Sequence, residues 1–210
     1  RLPQAVRYQR QKHWAQHDLW NAQPRPREFK GATMTIFGLG AIGTPLARLA
    51  KSLGMRVVGV REHPEQGSEV ADAVHGFEEL DQALSAGDFV VLAAPVTPKT
   101  RHLMNAERLA RLKPDAYLIN VGRGVLIDEA ALVDALRAKS FGGAALDVTT
   151  EEPLPAESQL WEMENVLITP HIAGLTAKMW ERHYEHYTKN LRRFLAGDAL
   201  LWVVDKERGY

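Results

Sequence analysis

The chain has 210 residues, 45% hydrophobic and 25% charged, with a formal net charge of +0. This composition supports an ordinary globular core and gives no global argument for nucleic acid or an anionic membrane as a partner. No cysteine is present, so disulfides, thiolate catalysis and cysteine-ligated metals are excluded, and no metal site is expected.

Residues 3–20 carry Val6, Trp14, Leu19 and Trp20 among many polar residues, which predicts a polar, weakly amphipathic helix. The opening RLPQAVRYQRQKHW is too polar for a signal peptide, and no apolar run approaches the roughly 20 residues of a membrane span. A soluble cytoplasmic protein is expected. NAQPRPREFKG then breaks the helix with prolines and charges. From Thr33, MTIFG reads as a buried strand with a glycine turn behind it. In IGTPLARLAKSLG, Ile42, Leu46, Leu49, Ala50 and Leu53 share one helical face and Gly54 is the stop. RVVGV (56–60), DFVVLAA (88–94), AYLINVG (116–122), FGGAALDV (141–148) and VLIT (166–169) read as further strands. Helices are predicted over 105–112, opened by a capping Asn105, and over 128–139, with acids in the first turn and bases in the last. A long helix covers 176–196 and stops at Gly197. Apolar strands alternating with helices predict an α/β fold with a doubly wound parallel sheet, covered on both faces.

GLGAIG (38–43) matches G-x-G-x-x-G between a predicted strand and a predicted helix, the context a dinucleotide site requires. Gly38 allows the tight turn, Gly40 a close backbone approach to a pyrophosphate, and Gly43 close packing of helix on strand. The pyrophosphate would lie at the positive helix N-terminus, near the amides of Ala41 and Ile42. At the end of the next strand an acid commonly binds the ribose hydroxyls, but that position is Arg61. An arginine cannot accept those hydrogen bonds and can fork onto a 2′-phosphate, so Arg61 favours NADP slightly over NAD. The adjacent Glu62 tempers the preference, and His63 is the nearest other basic residue.

Three further stretches concentrate polar residues where strands end: Asn120, Gly122, Arg123 and Gly124; then Asp147 with Glu151 and Glu152; then His171. Ligands of open α/β sheets bind beyond the carboxyl ends of the strands. Hydride transfer to or from a 2-hydroxy acid needs a proton acceptor, which His171 can be, and a cation for the carboxylate and carbonyl, which Arg123 can be. Glu152 can orient the histidine. Each residue alone has an ordinary reading as surface or loop chemistry; together with the glycine turn they form a catalytic set.

GLGAIG, APVTPKTRHLMN, LINVGRGVLIDEAAL, GGAALDVTTEEPLP and NVLITPHIAG together resemble, in order and spacing, the D-isomer-specific 2-hydroxyacid dehydrogenases. The resemblance covers roughly 1–210. It implies Arg123 as the substrate-orienting arginine, His171 as the acid/base and Glu152 as its carboxylate partner. It implies that Asp147 holds the nicotinamide carboxamide, and that Pro95, Val96, Thr100, Val121, Gly122 and Gly174 line the cofactor cleft. It also implies a glyoxylate- or hydroxypyruvate-like 2-keto acid as substrate and a homodimer formed through the cofactor domain.

Two departures stand out. Arg61 replaces the family's common acid, as in several of its glyoxylate and hydroxypyruvate reductases that prefer NADPH. The flavodoxin-like substrate domain that begins the family's chains is missing, so a fragment is expected. Residues 1–30 would be the crossover or dimerisation helix and linker, 31–190 the dinucleotide-binding domain, and 191–210 the segment returning toward the substrate domain. Two rivals remain open from sequence: a nucleotide-sensing or corepressor-like relative without turnover, and oxidation of a one-carbon or inorganic anion. The EEP sequence suits hydroxy acids better than the formate branch, where a glutamine replaces Glu152.

Overall fold

The apolar run TMTIF forms β1 (Thr33–Phe37), buried along nearly its whole length inside a seven-stranded, all-parallel sheet. The computed structural model describes residues 1–22 and 25–207. The other strands are β2 (Arg56–Val60), β3 (Ala73–His75), β4 (Phe89–Leu92), β5 (Tyr117–Asn120), β6 (Gly143–Leu146) and β7 (Val166–Ile168). Their order is β3-β2-β1-β4-β5-β6-β7. In register, Ile36 of β1 lies between Gly59 of β2 and Val91 of β4.

Successive side chains of a strand point to opposite faces, and two separate apolar clusters follow from that alternation. Met34, Ile36, Val57 and Val91 pack on one side with Ala47 and Ala50. Phe37, Val58, Val60, Val90, Leu92 and Leu118 pack on the other with Leu84, Leu132 and Leu136. Both faces are therefore covered by helices, as a parallel sheet demands.

The helices are α1 (Leu2–Arg10), α2 (Gln16–Asn21), α3 (Gly43–Ser52), α4 (Leu80–Ala86), α5 (Ala106–Leu109), α6 (Glu129–Arg137) and α7 (Met179–Ala196). The Asn105 and Asp128 side chains cap α5 and α6 by accepting from the Arg108 and Ala131 N–H groups. α7 ends at Gly197 in the left-handed conformation, φ 75°. No helix among the described residues is long and apolar enough to cross a membrane.

The structure corrects several expectations. The predicted helix over 3–20 is two helices separated by a turn in which Lys12 has φ 56°. Neither helix buries a residue, so no packed face holds them in one piece. On α3, Leu46 is partly buried, but Ile42, Leu49 and Leu53 lie exposed. Ala50 faces the sheet as expected, but with Gly43 and Ala47 rather than the leucines beside it, because small residues let the helix settle closely against the sheet. α5 is one turn, shorter than predicted. Between 61 and 87 the sequence reading contained neither β3 nor α4. Residues 23–24 of the expected linker and 208–210 of the C-terminal segment lie outside the described residues.

At the amino end of β4, the middle strand, Asp88, almost fully buried, joins three elements. Its carboxylate accepts from the Thr33 N–H at 2.7 Å and from Lys113 Nζ at 2.7 Å, and lies 3.2 Å from the Arg27 guanidinium. Its carbonyl accepts from the Tyr117 N–H. Burial pushes its pKa up, but Lys113, the Thr33 N–H and Arg27 outweigh that and hold it below the ordinary 3.8. A lowered folded-state pKa means that this stabilisation is present above the ordinary value and is lost as pH falls through the folded one. Asp88→Asn is expected to cost about 1–3 kcal/mol at pH 7. Urea denaturation should show that the gap between the two proteins narrows as the pH is taken below the ordinary 3.8; an unchanged gap would contradict the assignment.

Candidate functional site

β2 and β3 extend to one side of β1, and β4 to β7 to the other, so the topology reverses between β1 and β4. A crevice opens outside the carboxyl ends of such strands. Here it takes the form of two adjoining cavities of about 300 and 790 Å³ that share Gly40, Ala93, Ala94 and Pro95.

The glycine turn builds the shared wall. Gly38 has φ 89°, and a Cβ there would lie 2.8 Å from the Ala93 carbonyl oxygen. A Cβ on Gly43 would meet the Gly38 oxygen at 1.9 Å, so α3 can start this close to β1 only with glycine at that position. At Gly40 a Cβ would meet nothing within 4 Å, and the residue forms part of both cavity walls. That open cradle at the N-terminus of α3, with Ala41 and Ile42 also in the larger cavity, fits the pyrophosphate of a dinucleotide.

The smaller cavity is lined by Gly38, Arg61, Glu62, His63, Lys99 and Thr100, among others. The Arg61 guanidinium donates to the Gly67 carbonyl at 3.2 Å and to Gln66 Oε1. Glu62 accepts from Lys99 Nζ at 2.9 Å, a partner invisible at 37 residues' separation. Thr100, buried, is a pin of its own loop: its hydroxyl donates to the Pro95 carbonyl and accepts from the Thr97 N–H.

The larger cavity brings together Pro95, Val96, Val121, Gly122, Arg123, Glu152 and His171. Arg123 follows β5, and the buried Asn120 shapes its loop by donating to the Arg123 carbonyl and accepting from the Gly122 N–H. The Arg123 guanidinium donates to the Gly122 carbonyl at 2.7 Å. Glu152 reaches His171 Nδ1 with Oε2 at 2.7 Å and accepts the Thr149 N–H on Oε1. The His171 hydrogen bond is the largest influence on the Glu152 carboxyl and holds it below its ordinary value, with help from the Thr149 N–H and the Arg123 charge. An ionised carboxylate only accepts, so Nδ1 carries the proton and Nε2 is left to exchange one.

Asp147 and Gly174 stand outside both cavity walls. The Asp147 carboxylate accepts from the Thr169 hydroxyl at 2.5 Å and from the Ile172 and Ala173 N–H groups, and its carbonyl accepts from the His171 N–H. Burial pulls its pKa up, and these bonds more than reverse that. Sequence reasoning missed Thr149, Thr169, Lys99 and Glu129, whose carboxylate accepts the Thr150 N–H and steadies the Glu152 loop. Acid at the start of α6 was visible, but a bond to a backbone amide leaves no pattern in sequence.

Residues 1–173 match the model of the D-isomer specific 2-hydroxyacid dehydrogenase, NAD binding domain. A glyoxylate reductase of Thermococcus onnurineus is 40% identical over 179 residues, 84% of this chain and 52% of that protein. An (S)-sulfolactate dehydrogenase of Chromohalobacter salexigens is 42% identical over 168 residues, 80% of this chain and 54% of that protein. This chain thus spans about half the length of these two relatives. Among solved structures, a D-isomer specific 2-hydroxyacid dehydrogenase of Xanthobacter autotrophicus in complex with NADPH and MES superposes with a TM-score of 0.85 at 39% identity, covering 100% of this chain and 82% of that one. The doubly wound sheet, its glycine turn and the sequence match agree, and the chain belongs to the D-isomer specific 2-hydroxyacid dehydrogenase family, of which it carries the NAD binding domain.

Proposed function

We propose that this chain is the cofactor-binding portion of a dehydrogenase that moves a hydride between a nicotinamide cofactor and a small 2-hydroxy or 2-keto acid of the glyoxylate or hydroxypyruvate type. The observation that carries the reading is the His171–Glu152 pair at 2.7 Å, in one cavity with Arg123 and the open cradle at Gly40. The bound cofactor supplies or takes the hydride. His171 Nε2 gives the substrate oxygen its proton in reduction and recovers it in oxidation. Arg123 holds the substrate carboxylate and polarises the reacting carbonyl, since a guanidinium can fork onto both. Glu152 fixes the histidine's tautomer and balances its charge.

Gly38, Gly40, Ala41, Ile42 and Gly43 receive the pyrophosphate in this reading. Pro95, Val96, Val121 and Gly122 face the nicotinamide end, and Thr100 holds the loop that carries Pro95 in place. Asp147 would hold the carboxamide through the lone pair left beside its three partners, and Gly174 would flank it. Arg61 turns the balance toward NADP; the NADPH complex of the Xanthobacter relative supports that direction. The substrate class is supported by the glyoxylate reductase and sulfolactate dehydrogenase relatives. Residues 1–30 form a crossover and dimerisation segment, 31–190 the cofactor domain and 191–210 a returning segment. A cytoplasmic homodimer completes the reading. The exposed Trp14 and Trp20, with Leu49 and Leu53 turned outward along and just after α3, offer the apolar surface a dimer needs.

In the full-length protein, His171→Ala should lower turnover with 2-keto acids by about 10²–10⁴-fold and leave the Kd for NADPH nearly unchanged; loss of cofactor binding would remove its assigned role. Gly40→Ala should fold with an unaltered melting temperature yet bind cofactor at least about tenfold more weakly, because the new methyl group enters the pyrophosphate cradle. Paired titrations should give tighter binding of NADPH than of NADH. A tenfold preference for NADH, ~1.4 kcal/mol, would defeat the reading of Arg61.

A further inference from the structure

Among the described residues, four ionisable side chains stand around the smaller cavity: Arg61, Glu62, His63 and Lys99. His63 is paired with Glu65, its Nδ1 3.2 Å from that carboxylate. Arg61 and Glu62 are neighbours in sequence with opposite charges, so without a further group this wall would carry no net charge. Its carboxylate would suit the two hydroxyls of an unmodified ribose and would repel a phosphate. Lys99 changes that balance. Its ammonium lies 2.9 Å from Glu62 and occupies the carboxylate.

The pair contributes little to the fold. The Lys99 and Glu62 side chains are 70% and 37% exposed, and ion pairs that exposed are worth little. The loop that presents Lys99 is nonetheless fixed. Thr100 donates to the Pro95 carbonyl at 2.7 Å, the Thr97 N–H donates to the Thr100 hydroxyl at 2.7 Å, and the Thr100 and Arg101 N–H groups both donate to the Thr97 carbonyl. A rigid turn thus holds a lysine over the cavity mouth, opposite the end of β2, in a pair weak enough to exchange. A phosphate dianion is a stronger partner for an ammonium than an exposed carboxylate is.

We propose that Lys99 is a cofactor-selecting residue: it neutralises Glu62 and gives the 2′-phosphate of NADP a second cation beside Arg61. This rests on the reading of the cavity as the adenosine end of a nicotinamide dinucleotide site. Lys99 comes from the loop after β4, on the far side of the crevice from Arg61. The phosphate is therefore gripped from both walls, and the selection does not depend on Arg61 alone.

The test is equilibrium titration of the full-length protein with NADPH, NADH and 2′,5′-ADP, following cofactor fluorescence or heat. Lys99→Met should weaken NADPH and 2′,5′-ADP by about tenfold or more while NADH changes by less than about threefold. Lys99→Arg should keep most of the NADPH affinity. In the Lys99→Met background, Glu62→Gln should restore part of the NADPH affinity, because the unmasked carboxylate is gone. Unchanged NADH binding also certifies that each variant is folded. If the parent protein prefers NADPH and Lys99→Met keeps that preference, or weakens both cofactors alike, Lys99 does not select and the proposal fails while the reading of Arg61 stands. A parent that prefers NADH overturns both. If neither dinucleotide binds, the reading of the cavity itself falls, and the proposal with it.

Discussion

Parallel pairing brings the carboxyl ends of all the strands to one edge, and the loops that leave β1, β4, β5 and β6 meet there although they are far apart in sequence. Antiparallel strands would send alternate loops to the opposite edge and divide the set. The reversal between β1 and β4 then supplies the crevice, because the chain leaves these two neighbouring strands toward opposite sides of the sheet. The glycines of the first turn let α3 begin close enough to β1 for its N-terminus to face that crevice. The amino ends of β1 and β4 are pinned independently, through Asp88 with Thr33, Lys113 and Arg27. Scaffold and site therefore depend on different residues, and changes at one end need not disturb the other.

Two carboxylates, Glu152 in the larger cavity and Asp147 outside its wall, divide the work by their surroundings. Asp147 is almost wholly buried, and the hydroxyl and amides it binds belong to the loop of His171. Glu152 is partly exposed, and its contact is with the imidazole itself. One shapes the backbone and the other orients the ring. The backbone needs shaping, because His171 has φ 54°, in the left-handed region that non-glycine residues seldom enter and that costs of order 1 kcal/mol or more. The bonds to Asp147, including the His171 N–H to its carbonyl at 2.8 Å, offset that cost. A conformation so strongly over-determined points the ring in one direction without help from a ligand.

The fold was legible in the sequence because strands buried on both faces read as unbroken apolar runs, and MTIFG, VVGV and FVVL do so without ambiguity. The candidate site was legible because its side chains sit where those runs stop. What could not be read has physical reasons. The apolar stripe of α3 looked like a buried face, yet the helix turns its alanines inward, since a close approach to the sheet favours small residues over large ones. β3 is three half-buried residues, too short for a period to declare itself. Thr149, Ile172 and Ala173 contribute through backbone amides, which every residue but proline possesses. The pairing of Lys99 with Glu62 joins two loops whose proximity only the sheet order creates.

That leaves the position where sequence and expectation disagreed most, Arg61. Its backbone N–H completes the β2–β3 ladder by donating to the His75 carbonyl at 3.1 Å, a bond that any residue other than proline could make. Among the described residues, its side chain binds the local turn at Gln66 and Gly67. Sheet integrity is thus indifferent to whether an acid or a base stands there. The identity of residue 61 can change the charge of the crevice without cost to the core, which is why an arginine at this place is no argument against the fold. The same separation holds for Lys99, whose exposed side chain reaches over the cavity from a turn that Thr100 already holds. Charge at the mouth of the smaller cavity is carried by side chains at the end of β2 and in the loop after β4, so it can vary while seven strands stay in register.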